Sequence, residues 1–138
     1  MNTTDTISSH CVPDGDRISL TTKLFGMHFP MHLEPFVFDM AGRLSPDYKG
    51  GYWQFYALSN GGFYMAPNSD SLFNVTSENG YEGQLSADAL GITACLYAYS
   101  HLSFTEGDFA QICAQQYHWL RDYMMEHAEV RAILGAID

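Results

Sequence analysis

The chain has 138 residues, 46% hydrophobic and 14% aromatic, which fits one globular domain able to bury roughly two-thirds of its unfolded surface. Sixteen acidic residues against six basic ones leave a net charge of -10 and a pI of about 4.7. That balance excludes binding nucleic acid or an anionic membrane through clustered cations, and permits a basic protein partner or imitation of DNA.

No apolar run reaches the length of a membrane span, and the N-terminus has neither a basic region nor an apolar signal core. A cytoplasmic, soluble protein is therefore expected. Cys11, Cys95 and Cys113 form an odd set without a CxxC pair and read as reduced, mostly buried thiols.

Residues 1–23 are polar and rich in Thr, Ser and Asp. They read as a flexible leader, with Arg17 to Leu24 available to pack on a body spanning residues 24–138. His10 and Cys11 in this leader lack a second ligand pair at metal-site spacing. The run Phe25–Pro30 predicts a turn. Beyond it Phe36, Val37, Met40, Ala41 and Leu44 recur at helical spacing, so a first helix is expected over residues 33–44, with Pro35 tolerated in its first turn. His28 and His32 are four residues apart, but Pro30 between them argues against a helical metal pair.

Residues 50–67 hold two aromatic-rich runs on either side of Asn60-Gly61. A two-residue Asn-Gly turn predicts a hairpin with Leu58 opposite Phe63, Ala57 opposite Tyr64, Tyr56 opposite Met65 and Phe55 opposite Ala66. Trp53 and Phe55 are then core residues, and Pro67 ends the second strand. A second hairpin follows. Its runs Phe73–Thr76 and Tyr81–Leu85 flank Glu78-Asn79-Gly80, and a three-residue bulged loop sets Val75 against Gly83 and Phe73 against Leu85, burying the apolar side. Asn74-Val75-Thr76 matches a glycosylation sequon, which carries no weight without a signal peptide.

Ser86 predicts an N-cap, with Asp88 in the first turn of a helix running to about residue 102. Ala89, Ile92, Leu96 and Tyr99 share one face of it, and Gly91 suggests close packing on the sheet. Thr105 to Asp108 resembles a capping box. It opens the longest amphipathic stripe, Phe109, Ile112, Cys113, Gln116, Tyr117, Leu120 and Met124, to about residue 126. A short helix over residues 129–134 ends near Gly135. The fold class expected is α+β: a small antiparallel sheet of two hairpins, about four strands, packed with three to four helices.

No motif for catalysis is present: no phosphate-binding Gly-rich loop, no GxSxG and no HExxH. His118 lies off the face of Cys113 and reads as a packed or surface residue. Asp88 and Glu82 have simpler roles as helix-start and strand-surface residues than as an acid–base pair. Carboxylates are too dispersed to imitate duplex DNA, which carries a charge about every 1.7 Å.

Two stretches carry a resemblance: Gly51 to Pro67 (GYWQFYALSNGGFYMAP) and Asn79 to Ile92 (NGYEGQLSADALGI). They resemble the ArdB/KlcA antirestriction family, and the likeness extends from Phe25 to the closing Ala136-Ile137-Asp138. Leu90 stands where Ala is more usual. The resemblance implies a small α+β protein of mobile DNA that relieves type I restriction of incoming plasmid or phage DNA. It implies no cofactor and no catalytic residue, and a family distinct from the elongated DNA mimics. A non-enzymatic interaction is the leading reading, the alternatives being a DNA-mimic decoy and a small metal-dependent enzyme. The partner expected is a type I restriction enzyme subunit or a host protein, with no direct nucleic-acid or membrane contact, and the protein itself a monomer or weak homodimer. Asp122, Glu126 and Glu129 fall at i, i+4 and i+7 and, with Asp138 at the chain end, form a candidate acidic patch for a basic partner.

Overall fold

The computed structural model describes residues 6–138. Five strands and five α-helices follow in the order β1 (Ser9–Cys11), α1 (Arg17–Phe25), α2 (Glu34–Leu44), β2 (Trp53–Leu58), β3 (Phe63–Pro67), β4 (Leu72–Thr76), β5 (Glu82–Ser86), α3 (Ala87–Ser103), α4 (Asp108–Met124) and α5 (Val130–Ile137). The α+β class expected from the sequence is the class observed. The hairpins do not share one sheet, however: β1-β2-β3 is one antiparallel sheet and β4-β5 a separate ribbon.

The predicted leader builds part of the body. Ser9, His10 and Cys11 pair with Leu58, Ala57 and Tyr56, and α1 begins at Arg17, so a strand and most of a helix lie within the predicted leader. Residues 1–5 of that leader lie outside the described residues. Strand β1 spans only three residues, too short for its alternation to register in the sequence.

The β2–β3 hairpin forms, but one residue out of the predicted register. Ala57 faces Phe63, Tyr56 faces Tyr64, Phe55 faces Met65 and Trp53 faces Pro67. A two-residue type I′ turn needs φ > 0 at both central positions. Of the two, only Gly61 has it, at +101°, and no non-Gly residue among the described residues does. The loop is three residues, closed by Gly61 N–H donating to the Leu58 carbonyl at 3.0 Å and Leu58 N–H to the Gly62 carbonyl at 2.9 Å. Helix α4 selects it: the Asn60 amide donates to the Trp119 carbonyl at 2.9 Å, and the Trp119 ring lies 3.2 Å from where a Gly61 Cβ would sit.

The shift sorts aromatic rings by chemistry. Phe55 and Phe63 pair edge to face on one side and meet Phe25 and Phe29, at ring separations of 5.5–5.8 Å. Tyr56 stacks on Tyr64 at 4.8 Å, and Tyr64 on Tyr123 at 5.8 Å. Trp53 and Phe55 are buried, as expected. The β4–β5 hairpin has the predicted register, Val75 with Gly83 and Phe73 with Leu85, turning on Gly80 at φ +93°.

Helix α3 is the centre of the molecule. Sequence periodicity assigns it one buried face, yet eleven of its seventeen residues are buried, including Ala87, Leu90, Thr93, Ala94 and Ala98. A helix covered on nearly all sides belongs to an interior. Its small residues let neighbours approach: a Cβ on Gly91 would fall 2.4 Å from the Met65 carbonyl oxygen and 2.4 Å from Ala66 Cβ. Ser86 caps it as predicted, accepting from Ala89 N–H at 3.1 Å.

The capping box before α4 does not form. Gly107, at φ +95°, is the N-cap, and the Thr105 hydroxyl turns back to donate to the Leu102 carbonyl at 2.6 Å. Helix α4 stops at Met124, short of the predicted end. Helix α5 continues through Gly135 to Ile137. Gly135 serves packing there rather than termination, because the Tyr81 ring lies 2.8 Å from where its Cβ would be. Cys95 and Cys113 are buried, and Cys11 is exposed on β1.

Gly91→Ala should destabilise the fold. Overpacking against backbone costs about 1–3 kcal/mol or more, against about 1 kcal/mol of improved helix propensity. A fall in Tm of several degrees is expected in thermal unfolding. An unchanged Tm would mean that α3 does not rest on the β3 backbone.

Candidate functional site

Polar side chains converge where β5 runs into α3 and the α4–α5 turn folds back over that junction. Asp88 sits in the first turn of α3 and accepts from the Tyr64 hydroxyl at 2.7 Å through one carboxylate oxygen. Its other oxygen meets His127 Nε2 at 2.8 Å. His127 Nδ1 faces the Glu129 N–H at 2.9 Å. The Glu129 carboxylate in turn accepts from Ser86 N–H at 2.9 Å and from the Ser86 hydroxyl at 2.5 Å. Tyr123, stacked on Tyr64, donates to the Ser9 hydroxyl of β1 at 3.1 Å. One chain of hydrogen bonds thus ties β3, β5, α3 and the C-terminal segment.

Ser, His and Asp meet here without the geometry of a nucleophile. Ser86 directs its proton to Glu129, while both His127 nitrogens are taken by Asp88 and Glu129 N–H. No ring nitrogen is left to receive a serine proton, which nucleophilic activation requires. Burial, then the Asp88 charge, raises the Tyr64 hydroxyl far above its ordinary value of 10.0, so it stays a proton donor. Burial also pushes the Cys95 and Cys113 thiols up to about 12, which leaves them protonated and unreactive. The cluster is a clasp.

The clasp takes one member from the predicted acidic patch. Asp122 is exposed on α4 and Glu126 on the turn that follows, while Glu129 is turned inward onto Ser86. Because α4 ends at Met124, the i, i+4, i+7 face expected for Asp122, Glu126 and Glu129 does not exist. Asp138 is exposed at the end of α5. Asp88 and Glu82 are not a pair: Glu82 lies at the opposite end of β5, across from Thr76. His118 is exposed and its ring meets Tyr117. Pro30 does not separate His28 from His32 as expected. It enters the first turn of a wider π-type helical turn over Phe29–Leu33, where its missing N–H costs nothing, and the two rings lie 5.4 Å apart beside Phe109. Among the described residues no group of three or more His, Cys, Asp or Glu is placed to hold a metal.

Sequence reading noted Asp88 for its place in a first helical turn, and missed its partners. Tyr64 and His127 are 24 and 39 residues away from it, and no local pattern links them. It offered Arg17 to Leu24 for packing on the body but not the contacts of Arg17, whose guanidinium donates to the Trp53 carbonyl at 2.9 Å and lies 4.4 Å from the Phe55 ring.

Residues 46–138 match the model of a protein family described as antirestriction protein. Over 132 residues the chain is 43% identical to the antirestriction protein KlcA of Escherichia coli, covering 92% of this chain and 90% of that protein. It is 44% identical over 135 residues to the uncharacterized protein YafX of Escherichia coli strain K12, with 92% and 85% covered. A solved structure of the KlcA and ArdB proteins, said to show a novel fold and antirestriction activity against type I DNA restriction systems in vivo but not in vitro, superimposes over the whole of both chains with a TM-score of 0.90 and 38% identity.

The clasp makes stability depend on pH through His127. Its hydrogen bond to Asp88, opposed by burial and aided by the Asp88 and Glu129 charges, raises His127 above its ordinary value of 6.5. Protonating Nδ1 sacrifices the contact with Glu129 N–H, but a charge-assisted bond to a carboxylate is about twice as strong as a neutral one. His127 thus binds its proton more tightly folded than unfolded. That stabilisation is complete below the unfolded value and is lost as pH rises through the folded one. Between roughly pH 6 and 8, wild-type Tm should fall relative to a His127→Gln variant. Parallel Tm profiles for the two proteins would refute the linkage.

Proposed function

The chain belongs to the antirestriction protein family, and we propose that it relieves type I restriction of incoming plasmid or phage DNA through a non-enzymatic interaction in the cytoplasm. The observation that carries this reading is the full-length likeness to the KlcA and ArdB structure, whose proteins are said to have that activity. Saturation of the Ser86, Asp88 and His127 side chains by one another and by Glu129 and Tyr64 supports a mechanism without catalysis. Activity of those relatives in vivo but not in vitro favours a partner met in the cell, either a host protein or a restriction subunit in its cellular setting.

A DNA decoy is the weaker reading. Two of the carboxylates such a decoy would display, Asp88 on His127 and Glu129 on Ser86, are spent inside the fold, and three exposed ones are paired: Asp14 with Arg17, Asp39 with Arg43 and Asp47 with Asn74. With only six Lys and Arg in the chain, direct phosphate binding is not part of the mechanism. Of the acidic end, Asp122, Glu126 and Asp138 are left to meet a basic partner surface.

Unmodified phage plated on a host with an active type I system should form more plaques when this protein is expressed. Equal plating with and without it would refute the function. Reversing the charge of Asp122, Glu126 and Asp138 together should keep the circular dichroism spectrum and lower relief about tenfold, the cost of roughly 1.4 kcal/mol in partner affinity. Full relief by the triple variant would leave the acidic end a solubility feature. Glu129→Ala should instead lower Tm, because it strands the Ser86 N–H at a cost of about 1–3 kcal/mol.

A further inference from the structure

A cavity of about 430 Å³ opens between α1, the π-type turn and β2, walled by Ile18, Met27, Phe29, Pro30 and Phe55. Its rim is apolar and uncovered: Ile18 is 81% exposed and Met27 69%, and Met31, further along the turn, is 62% exposed. Large apolar side chains gathered this way mark an interaction surface, and methionines suit one that must adapt to its occupant.

Arg17 and Thr21 of this groove are engaged from within the fold. Arg17 donates to the Trp53 carbonyl, lies over the Tyr52 and Phe55 rings and has its Nε 3.4 Å from the Asp14 carboxylate. The Thr21 hydroxyl donates to the Arg17 carbonyl at 2.9 Å. Glu34 differs. Its half-buried carboxylate lines the cavity, and among the described residues no hydrogen bond or ion pair engages it. The free charge of the groove is therefore negative, within a chain of net charge -10. A second copy of the same chain carries the same charge and is repelled. A basic segment is attracted, and a Lys or Arg can lay its aliphatic stem on apolar walls while its head reaches a carboxylate.

We propose that this groove docks a segment of a partner protein in which an apolar anchor sits beside a Lys or Arg, the anchor filling the cavity and the cation meeting Glu34. This rests on the reading that the protein works through a protein partner, and it places a contact away from the acidic chain end. Burial pushes the Glu34 carboxyl above its ordinary value, with Arg17 pulling it back, so an incoming cation relieves an existing electrostatic cost.

Phage plating on the restricting host tests this with three proteins: wild type, the triple variant Ile18→Asp, Met27→Asp, Met31→Asp, and Glu34→Lys. All three substituted apolar residues are exposed, so circular dichroism and Tm should match wild type. Relief should fall at least tenfold in the triple variant and in Glu34→Lys, and less in Glu34→Gln, with wild type sedimenting as a monomer. If the triple variant does not fold, Met27→Asp and Glu34→Lys alone decide. Folded variants with full relief would overturn the docking site. Loss in the apolar variants with full activity in Glu34→Lys would overturn the basic character of the partner. A wild-type dimer that the triple variant converts to monomer would overturn the partner in favour of self-association. Failure of wild type itself to relieve restriction would refute the proposed function and is seen separately in the same assay.

Discussion

Close contact between α3 and β3 is the constraint on which the rest of the molecule depends. Gly91 lets the helix axis approach until the Met65 carbonyl and Ala66 occupy the space a side chain would fill. From that contact β3 becomes buried at every position and α3 nearly so. Buried polar groups on the two elements then need partners within them: Cys95 Sγ lies 3.7 Å from the Met65 carbonyl, and the Tyr99 hydroxyl donates to the Phe63 carbonyl at 2.8 Å. Each satisfies a group whose burial without a partner would be costly. The core is thus a helix seated on a strand, with the remaining elements packed around the pair.

The one-residue hairpin slip has consequences at both ends of the molecule. It places Phe55 and Phe63 where α1 and the π-type turn cover them, and the uncovered remainder of that contact is the apolar groove beside Arg17 and Glu34. It places Tyr56 and Tyr64 on the opposite face, where hydroxyl groups need acceptors, and Asp88 supplies one to Tyr64. The clasp at the start of α3 follows from this. Carboxylates that the composition counts as surface charge, Asp88 and Glu129, become internal acceptors, so of the acidic chain end only Asp122, Glu126 and Asp138 face outward.

The ionisable side chains of the clasp close on one another and the buried thiols are held protonated, while no helix of the described residues is long and apolar enough to cross a membrane. The chain's membership of the antirestriction family rests on its sequence and on its whole-chain likeness to a solved relative.

Local chemistry made much of the fold legible in the sequence. The Gly80 bulge, the Ser86 cap, the helical stripes of α2 and α4 and the tight approach at Gly91 each express a rule acting over a few residues, and each is found where the residues predict it. The motifs from Gly51 to Pro67 and from Asn79 to Ile92 also pointed to the family. Tertiary structure alone decided the rest. Asn60-Gly61 is compatible with a two-residue or a three-residue loop, and Trp119, 59 residues away, holds the three-residue one. Thr105 and Asp108 satisfy a capping pattern, but Thr105 bonds to the end of α3 instead. Asp122, Glu126 and Glu129 share a helical face on paper, until the His127–Asp88 contact closes the turn after Met124 and draws Glu129 onto Ser86. Residue spacing determines what a segment can present; which partner it meets is set by distant groups that only folding brings within hydrogen-bond range.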